Sequence, residues 1–250
     1  MRKGLRFLLY LILFSGIVIA AFPYIRGAIM DRRAARIAED FLSRVIVDPY
    51  REEDVVITFT EPTEEKREYP ELWDAMVAYN ESIYAENQSG MVNLQSFEKQ
   101  SFVLQNYGLE DEVFGVISVP AIELSMPIYL GASRANMAIG AALMTETSLP
   151  IGTPNSNAVI CGHRGWNGAA YFLYIPSLEK GDIVTITNLW ETLTYEVVDW
   201  KIITPYDVES IHIQPNRDLI TLLTCHPPAT GGRERYLVFC ERIQTELEVP

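Results

Sequence analysis

The stretch Asp218-Leu219-Ile220-Thr221-Leu222-Leu223-Thr224-Cys225-His226-Pro227-Pro228 decides how this chain folds. Its apolar run predicts a strand over Asp218–Thr224, halted by two prolines, the first of which has no N–H to give a sheet. The strand therefore ends near Cys225 and leaves that cysteine at a rim. Taken alone, Cys225 fits a small buried hydrophobe as well as it fits a nucleophile.

Ten residues after the cysteine, Arg235 opens a second apolar run, Tyr236-Leu237-Val238-Phe239. Side chains alternate along a strand, so Arg235 shares a face with Leu237 and Phe239. A cation on that face belongs at the strand's end, where it can steady a developing oxyanion. Arg233 has the same parity and is its rival; Arg235 is favoured because it abuts the apolar run. Sixty-two residues before Cys225, Ala158-Val159-Ile160-Cys161 leads into Gly162-His163-Arg164-Gly165. The flanking glycines permit an unusual backbone and the close approach of a substrate. Alone, His163 reads as a loop histidine. Beside Cys225 it would, as an imidazolium, stabilise a thiolate and then protonate a leaving amine. Base, nucleophile and fixed cation are what thiol acyl transfer requires. Thr224, Gly162 and His226 adjoin these residues and are the expected substrate contacts. His226 points to the face opposite Cys225 and should not reach the sulfur. His212 is read on the polar face of a short segment, and Cys161 and Cys240 as small buried hydrophobes.

The charge is divided unevenly. Residues 1–36 carry seven Lys or Arg and one Asp, whereas the rest carries 13 basic and 32 acidic residues. No basic face is available for nucleic acid, and that partner class is excluded. Three cysteines without a Cys-x-x-Cys make neither a disulfide scaffold nor a zinc site, and no cofactor is expected.

Phe7 to Ile25 form 19 consecutive uncharged positions between Arg6 and Arg26, just long enough to cross a bilayer as a helix. A cleaved signal peptide is the alternative, but Ala20-Ala21 makes a poor cleavage site. Basic residues flank both ends, so the positive-inside rule alone does not orient the span. Arg32 to Arg44 predicts a helix leaving the membrane, with Ala34, Ala35, Ile37, Ala38, Phe41 and Leu42 giving an apolar face. Asp48 to Tyr69 reads as linker. Pro70 starts a second helix on which Leu72, Met76, Tyr79 and Ile83 recur at helical spacing. Asn87 to Gly108 reads as loop. From Val113 onward, short strands are expected at 115–119, 122–124, 127–129, 158–162, 183–187, 193–199, 201–203, 218–224 and 236–243, the pattern of a sandwich or barrel. The expected organisation is a membrane anchor over 1–30, a helical stalk with the place of a lid over 31–112, and a β-barrel over 113–250.

Thr-Leu-Leu-Thr-Cys, the arginine ten residues on and the earlier Gly-His-Arg-Gly resemble the sortases, cysteine transpeptidases of Gram-positive bacteria. Gly115 to Pro120, Leu124 to Tyr129 and Thr147 to Gly152 resemble the class C, pilus-assembling branch. The resemblance implies a mainly β fold, the closed eight-stranded sortase barrel, with N-terminal helices and one transmembrane helix. It implies Cys225 as nucleophile, His163 as acid/base and Arg235 as stabiliser. It further implies attack on the Thr–Gly bond of a Leu-Pro-x-Thr-Gly-like sorting signal borne by surface or pilin proteins. The acyl group would pass to an amine acceptor, a pilin lysine or a cell-wall peptide, outside the cell membrane. The chain departs from class C in two respects. Asp48-Pro49-Tyr50 is its only Asp-Pro-aromatic triplet and precedes the second helix, so residues 90–102 hold the lid's place without the motif. No second membrane helix follows the arginine strand. Leu149-Pro150-Ile151-Gly152-Thr153 has the wrong order for a sorting signal and is read as core. The rival readings are a housekeeping sortase that attaches proteins to wall peptide and a surface binding domain with an inactive site. Papain-like and L,D-transpeptidase chemistry are disfavoured by motif order and by the absence of their motifs.

Overall fold

Two parallel strand pairings close a single sheet on itself. The computed structural model describes residues 2–45, 67–91, 99–230 and 232–243. Its strands are β1 (Val113–Val119), β2 (Leu124–Leu130), β3 (Ala141–Leu143), β4 (Ser156–Cys161), β5 (Arg164–Trp166), β6 (Ala169–Tyr171), β7 (Ile183–Asn188), β8 (Thr192–Ile203), β9 (Asp218–His226) and β10 (Glu234–Arg242). Eight of them form a closed barrel in the order β1-β2-β3-β4-β9-β10-β8-β7, and β5 and β6 make a separate hairpin. Closure leaves no unpaired barrel edge. The pairs β2–β3 and β4–β9 are parallel, and the others are antiparallel.

Alternation sorts the side chains into two layers. Ile220 and Leu222 of β9, Val238 and Cys240 of β10, and Ala158 and Ile160 of β4 join the main core. On the outer side, Leu223, Leu237, Val159 and Cys161 pack with Met91, Met144, Ile203 and Ile211. These three strands are buried on both faces, which is why Leu219–Leu223 reads as a nearly continuous apolar run. The one polar residue within that run is satisfied, because Thr221 Oγ1 donates to Asn157 Oδ1 at 2.8 Å.

The sequence expectations differ from the structure at several elements. The expected spanning helix and the expected helix over Arg32–Arg44 are one helix, α1 (Arg2–Val45), which continues through Pro23 and Gly27. The expected strands 193–199 and 201–203 are one strand, β8, and a bulge facing Phe239 and Cys240 absorbs the offset. Pro120–Ile122 is a 3-10 turn, and Glu123 takes a positive φ of 51° before β2 begins, so no strand starts at Ile122. Strands β3, β5 and β6 were not expected, and each has only three residues. The triplet Asp48-Pro49-Tyr50, and most of the lid's place at 92–98, lie outside the described residues.

Helix α2 (Pro70–Ala85) forms where the Pro70 signal placed it and buries Leu72, Met76 and Ile83. Its Asn80, 4% exposed, grips the segment expected to be core. Asn80 Nδ2 donates to the Leu149 carbonyl at 3.0 Å, and Oδ1 accepts from Leu149 N–H at 2.8 Å. Asn80→Ala strands both backbone groups, and should lower the unfolding free energy by about 2 kcal/mol or more. A urea titration should show a lower midpoint at unchanged slope.

Candidate active site

The parallel pairing of β4 with β9 sets the site. Cys161 lies opposite Leu223, so the two strands leave the barrel at the same rim, one toward His163 and the other toward Cys225. The rim is stitched twice. Gly162 N–H donates to the Leu223 carbonyl at 3.0 Å, and Thr224 Oγ1 donates to the Gly162 carbonyl at 2.8 Å. Thr224 is thereby buried and holds the strand ends together. Gly162 is required by packing: a Cβ there would overlap the Phe172 ring, and Phe172 N–H in turn holds the His163 carbonyl at 2.9 Å.

On the other side of β9, Arg235 is the direct antiparallel partner of Cys225. Both side chains converge on Gly232, whose φ is +72°. A Cβ on that glycine would stand 3.2 Å from Cys225 Sγ and 3.0 Å from Arg235 Nη1. Nη1 donates to the Gly232 carbonyl at 2.6 Å and the Glu234 carbonyl at 3.0 Å, which fixes the guanidinium beside the glycine that the sulfur also approaches. Among the described residues no carboxylate pairs with Arg235, so its charge is not neutralised locally. Arg233, its rival, is exposed and precedes β10.

His163 is half-buried. Its ring stacks on Trp166 with centroids 4.7 Å apart, and Tyr171 meets it edge-on at 6.1 Å. Burial holds its pKa below the usual 6.5, which favours the neutral imidazole. No hydrogen bond joins it to Cys225 among the described residues. His226 lies away from the sulfur: its Nδ1 contacts Arg164 Nη1, and its ring sits 5.8 Å from Tyr236. Arg164 Nη1 also donates to the Cys225 carbonyl at 3.4 Å.

The other thiols are inert by burial. Cys161 is pushed up to about 12 by burial, against the opposing pull of Arg235, and Cys240 is raised by burial inside the barrel. His212 follows a 3-10 turn and takes part in none of these contacts. Among the described residues no His, Cys, Asp and Glu cluster is placed to hold a metal.

Sequence reasoning missed Trp166 and Arg164. The signal that could have found the first is Asn167-Gly168, both at positive φ, which is the two-residue turn of a β-hairpin. That hairpin carries the aromatic platform of His163.

A closed barrel with a cysteine and an arginine facing each other across neighbouring strand ends, and a histidine on the same rim, defines a class of barrel proteins with a thiol site. The chain belongs to the sortase family: the family model described as "Sortase domain" matches residues 117–243. Sortase A of Streptococcus agalactiae serotype III is 31% identical over 136 residues, 53% of this chain and 54% of that protein. The chain therefore spans little more than half the length of that curated relative. Among solved structures, sortase C-3 of Streptococcus pneumoniae is similar at 30% identity and a TM-score of 0.62, covering 72% of this chain and 85% of that one. Sortase C1 of Streptococcus agalactiae is similar at 29% identity and a TM-score of 0.64, covering 71% and 90%.

Two measurements check the electrostatics. Proton NMR should show the His163 signal, identified by its loss in His163→Asn, titrating below 6.5. Trp166→Ala, which opens the ring to water, should raise that value toward the ordinary one. Iodoacetamide at mildly alkaline pH should label Cys225 in the native protein and spare Cys161 and Cys240.

Proposed function

We propose that the chain is a membrane-anchored cysteine transpeptidase that cleaves a Leu-Pro-x-Thr-Gly-like sorting signal between Thr and Gly. The observation that carries this reading is the convergence of Cys225 Sγ and the unpaired Arg235 guanidinium on Gly232. The Cys225 thiol gives its proton to neutral His163, and the thiolate attacks the threonine carbonyl carbon. Arg235 donates to the oxyanion of the tetrahedral species. His163 passes its proton to the leaving glycine nitrogen, and a thioester to Cys225 remains. An incoming amine then attacks the thioester and yields its proton to His163. Collapse forms the new amide, and the sulfur takes the proton back.

His163 and Cys225 begin without a hydrogen bond, and such contacts tighten when substrate binds. The outer apolar layer of Cys161, Leu223 and Leu237 is buried against Met91, Met144, Ile203 and Ile211, and backs the strand ends that carry Cys225 and Arg235. Thr224 and Gly162 shape the rim that would receive the threonine, and His226 flanks it. In this reading residues 1–30 are the anchor, 31–112 the stalk and lid region, and 113–250 the catalytic barrel. The apolar stretch of α1 is long enough to span a membrane, with mean hydropathy 2.3 and no part of that window covered by protein. The barrel would stand outside the cell on this single span.

The similarity to sortases C favours a pilin lysine as the acceptor amine and pilus assembly as the outcome. A second reading, attachment of surface proteins to cell-wall peptide, draws on the similarity to a sortase A. Mass spectrometry of the protein with Leu-Pro-x-Thr-Gly peptides should show an acyl adduct that vanishes in Cys225→Ala and turns over with added amine. Preference for a pilin lysine over a wall-peptide amine would assign the branch. An alkylatable Cys225 that never acylates would reject the transpeptidase, and an unreactive thiol would favour a binding domain with an inactive site. Arg235→Lys keeps the charge but not the fork of donors, and should lower kcat/KM by roughly 100-fold or more while Cys225 remains alkylatable.

A further inference from the structure

The His163 hairpin meets α1 where the apolar run of that helix ends. The turn Asn167-Gly168 packs against Pro23 and Gly27, so tightly that a Cβ on either glycine would overlap backbone of the other element. Ile25, the last residue of the uncharged run, lies between those two contacts. One turn further on, Asp31 Oδ1 accepts from Ala170 N–H at 3.2 Å. The Asn167 side-chain oxygen, oriented to satisfy its neighbours, accepts from Arg26 Nη2 at 3.3 Å and from Trp166 Nε1 at 2.7 Å. A continuous chain of contacts thus runs from the anchor to the catalytic rim: Arg26, Asn167, Trp166, His163.

Strand directions agree. Residues 31–35 of α1 share a recess with Leu124 and Met126 at the start of β2, whereas Ala38 and Phe41 pack with Tyr129 near its end. β2 therefore runs away from the apolar end of α1. β3 is parallel to β2, β4 antiparallel to β3, and β9 parallel to β4. It follows that β4 and β9 both run toward the apolar end, and deliver His163 and Cys225 there.

The exposed side chains at that end have an interfacial character. Trp166 is 46% exposed and Tyr174 is 54% exposed. Arg32 and Tyr174 line the recess between α1 and the hairpin, about 10 Å beyond Ile25 along a helix. Aromatic rings with polar tips collect at the headgroup level of a bilayer, with arginines beside them. We propose that the β5–β6 hairpin beds in the headgroup layer of the membrane that α1 crosses, with Trp166 as its anchor. The site then works at the bilayer surface, and the seated hairpin fixes the platform under His163. The proposal rests on α1 being a membrane span, and it assigns no new chemical step.

The test uses the full chain reconstituted in phosphatidylglycerol–phosphatidylcholine vesicles, some of them brominated near the ester end of the acyl chains. Brominated lipid should quench part of the tryptophan emission, and Trp166→Phe should remove most of that quenched part. Trp73, Trp190 and Trp200 should contribute little. Equal quenching in both proteins, or a Trp166 component quenched by aqueous iodide and untouched by brominated lipid, overturns the proposal. Extraction of the chain by alkaline carbonate overturns it together with the anchor. Peptide transfer is read separately: its absence with lipid quenching intact would count against the transpeptidase and leave the membrane seat standing.

Discussion

The site depends on one pairing, the parallel register of β4 with β9. Parallel neighbours finish at the same end, so two residues far apart in sequence arrive at one rim once the chain between them, residues 162–217, has crossed back. Thr224 and Gly162 lock that register at the point where the strands leave the sheet. The antiparallel partner β10 begins where β9 ends, which sets Arg235 opposite Cys225. A slip of one residue in either pairing would turn every inward side chain outward. Core and site therefore stand or fall together.

Burial on both faces of β4, β9 and β10 has an electrostatic consequence. It raises the pKa of Cys161 and Cys240 and lowers that of His163, all by desolvation. The barrel wall suppresses charge wherever it is dry, and Arg235 stands out as a cation whose only hydrogen-bond partners among the described residues are backbone carbonyls. Arg235 and the sulfur meet at Gly232, so the fold keeps a cation beside the thiol.

Much of this was legible in sequence. The Asp218 strand, its proline stop and the parity of Arg235 with Leu237 needed only period-two reasoning, and the helix at Pro70 needed only spacing. The family resemblance named the barrel, and the eight strands close as it implied. What stayed hidden has physical causes. β3, β5 and β6 are three residues each, too short for any period to show, and they exist because neighbours offer backbone partners. The stack of Trp166 on His163 is a contact in space with no pattern along the chain. The continuity of α1 was obscured by reading Arg26 as a boundary, although a charged residue ends a membrane run without ending a helix.

That continuity has a consequence for how the protein finds what it acts on. A flexible stalk would let a barrel tumble above its anchor and sample all orientations. Here α1 passes from its apolar stretch, through Pro23, into contact with β1, β2 and the hairpin as one continuous helix. On the proposed reading that α1 spans a bilayer, such a helix would hold the rim within a narrow range of heights above the membrane. Encounter would then become a search in two dimensions, which favours partners carried by the same sheet of lipid over partners dissolved above it.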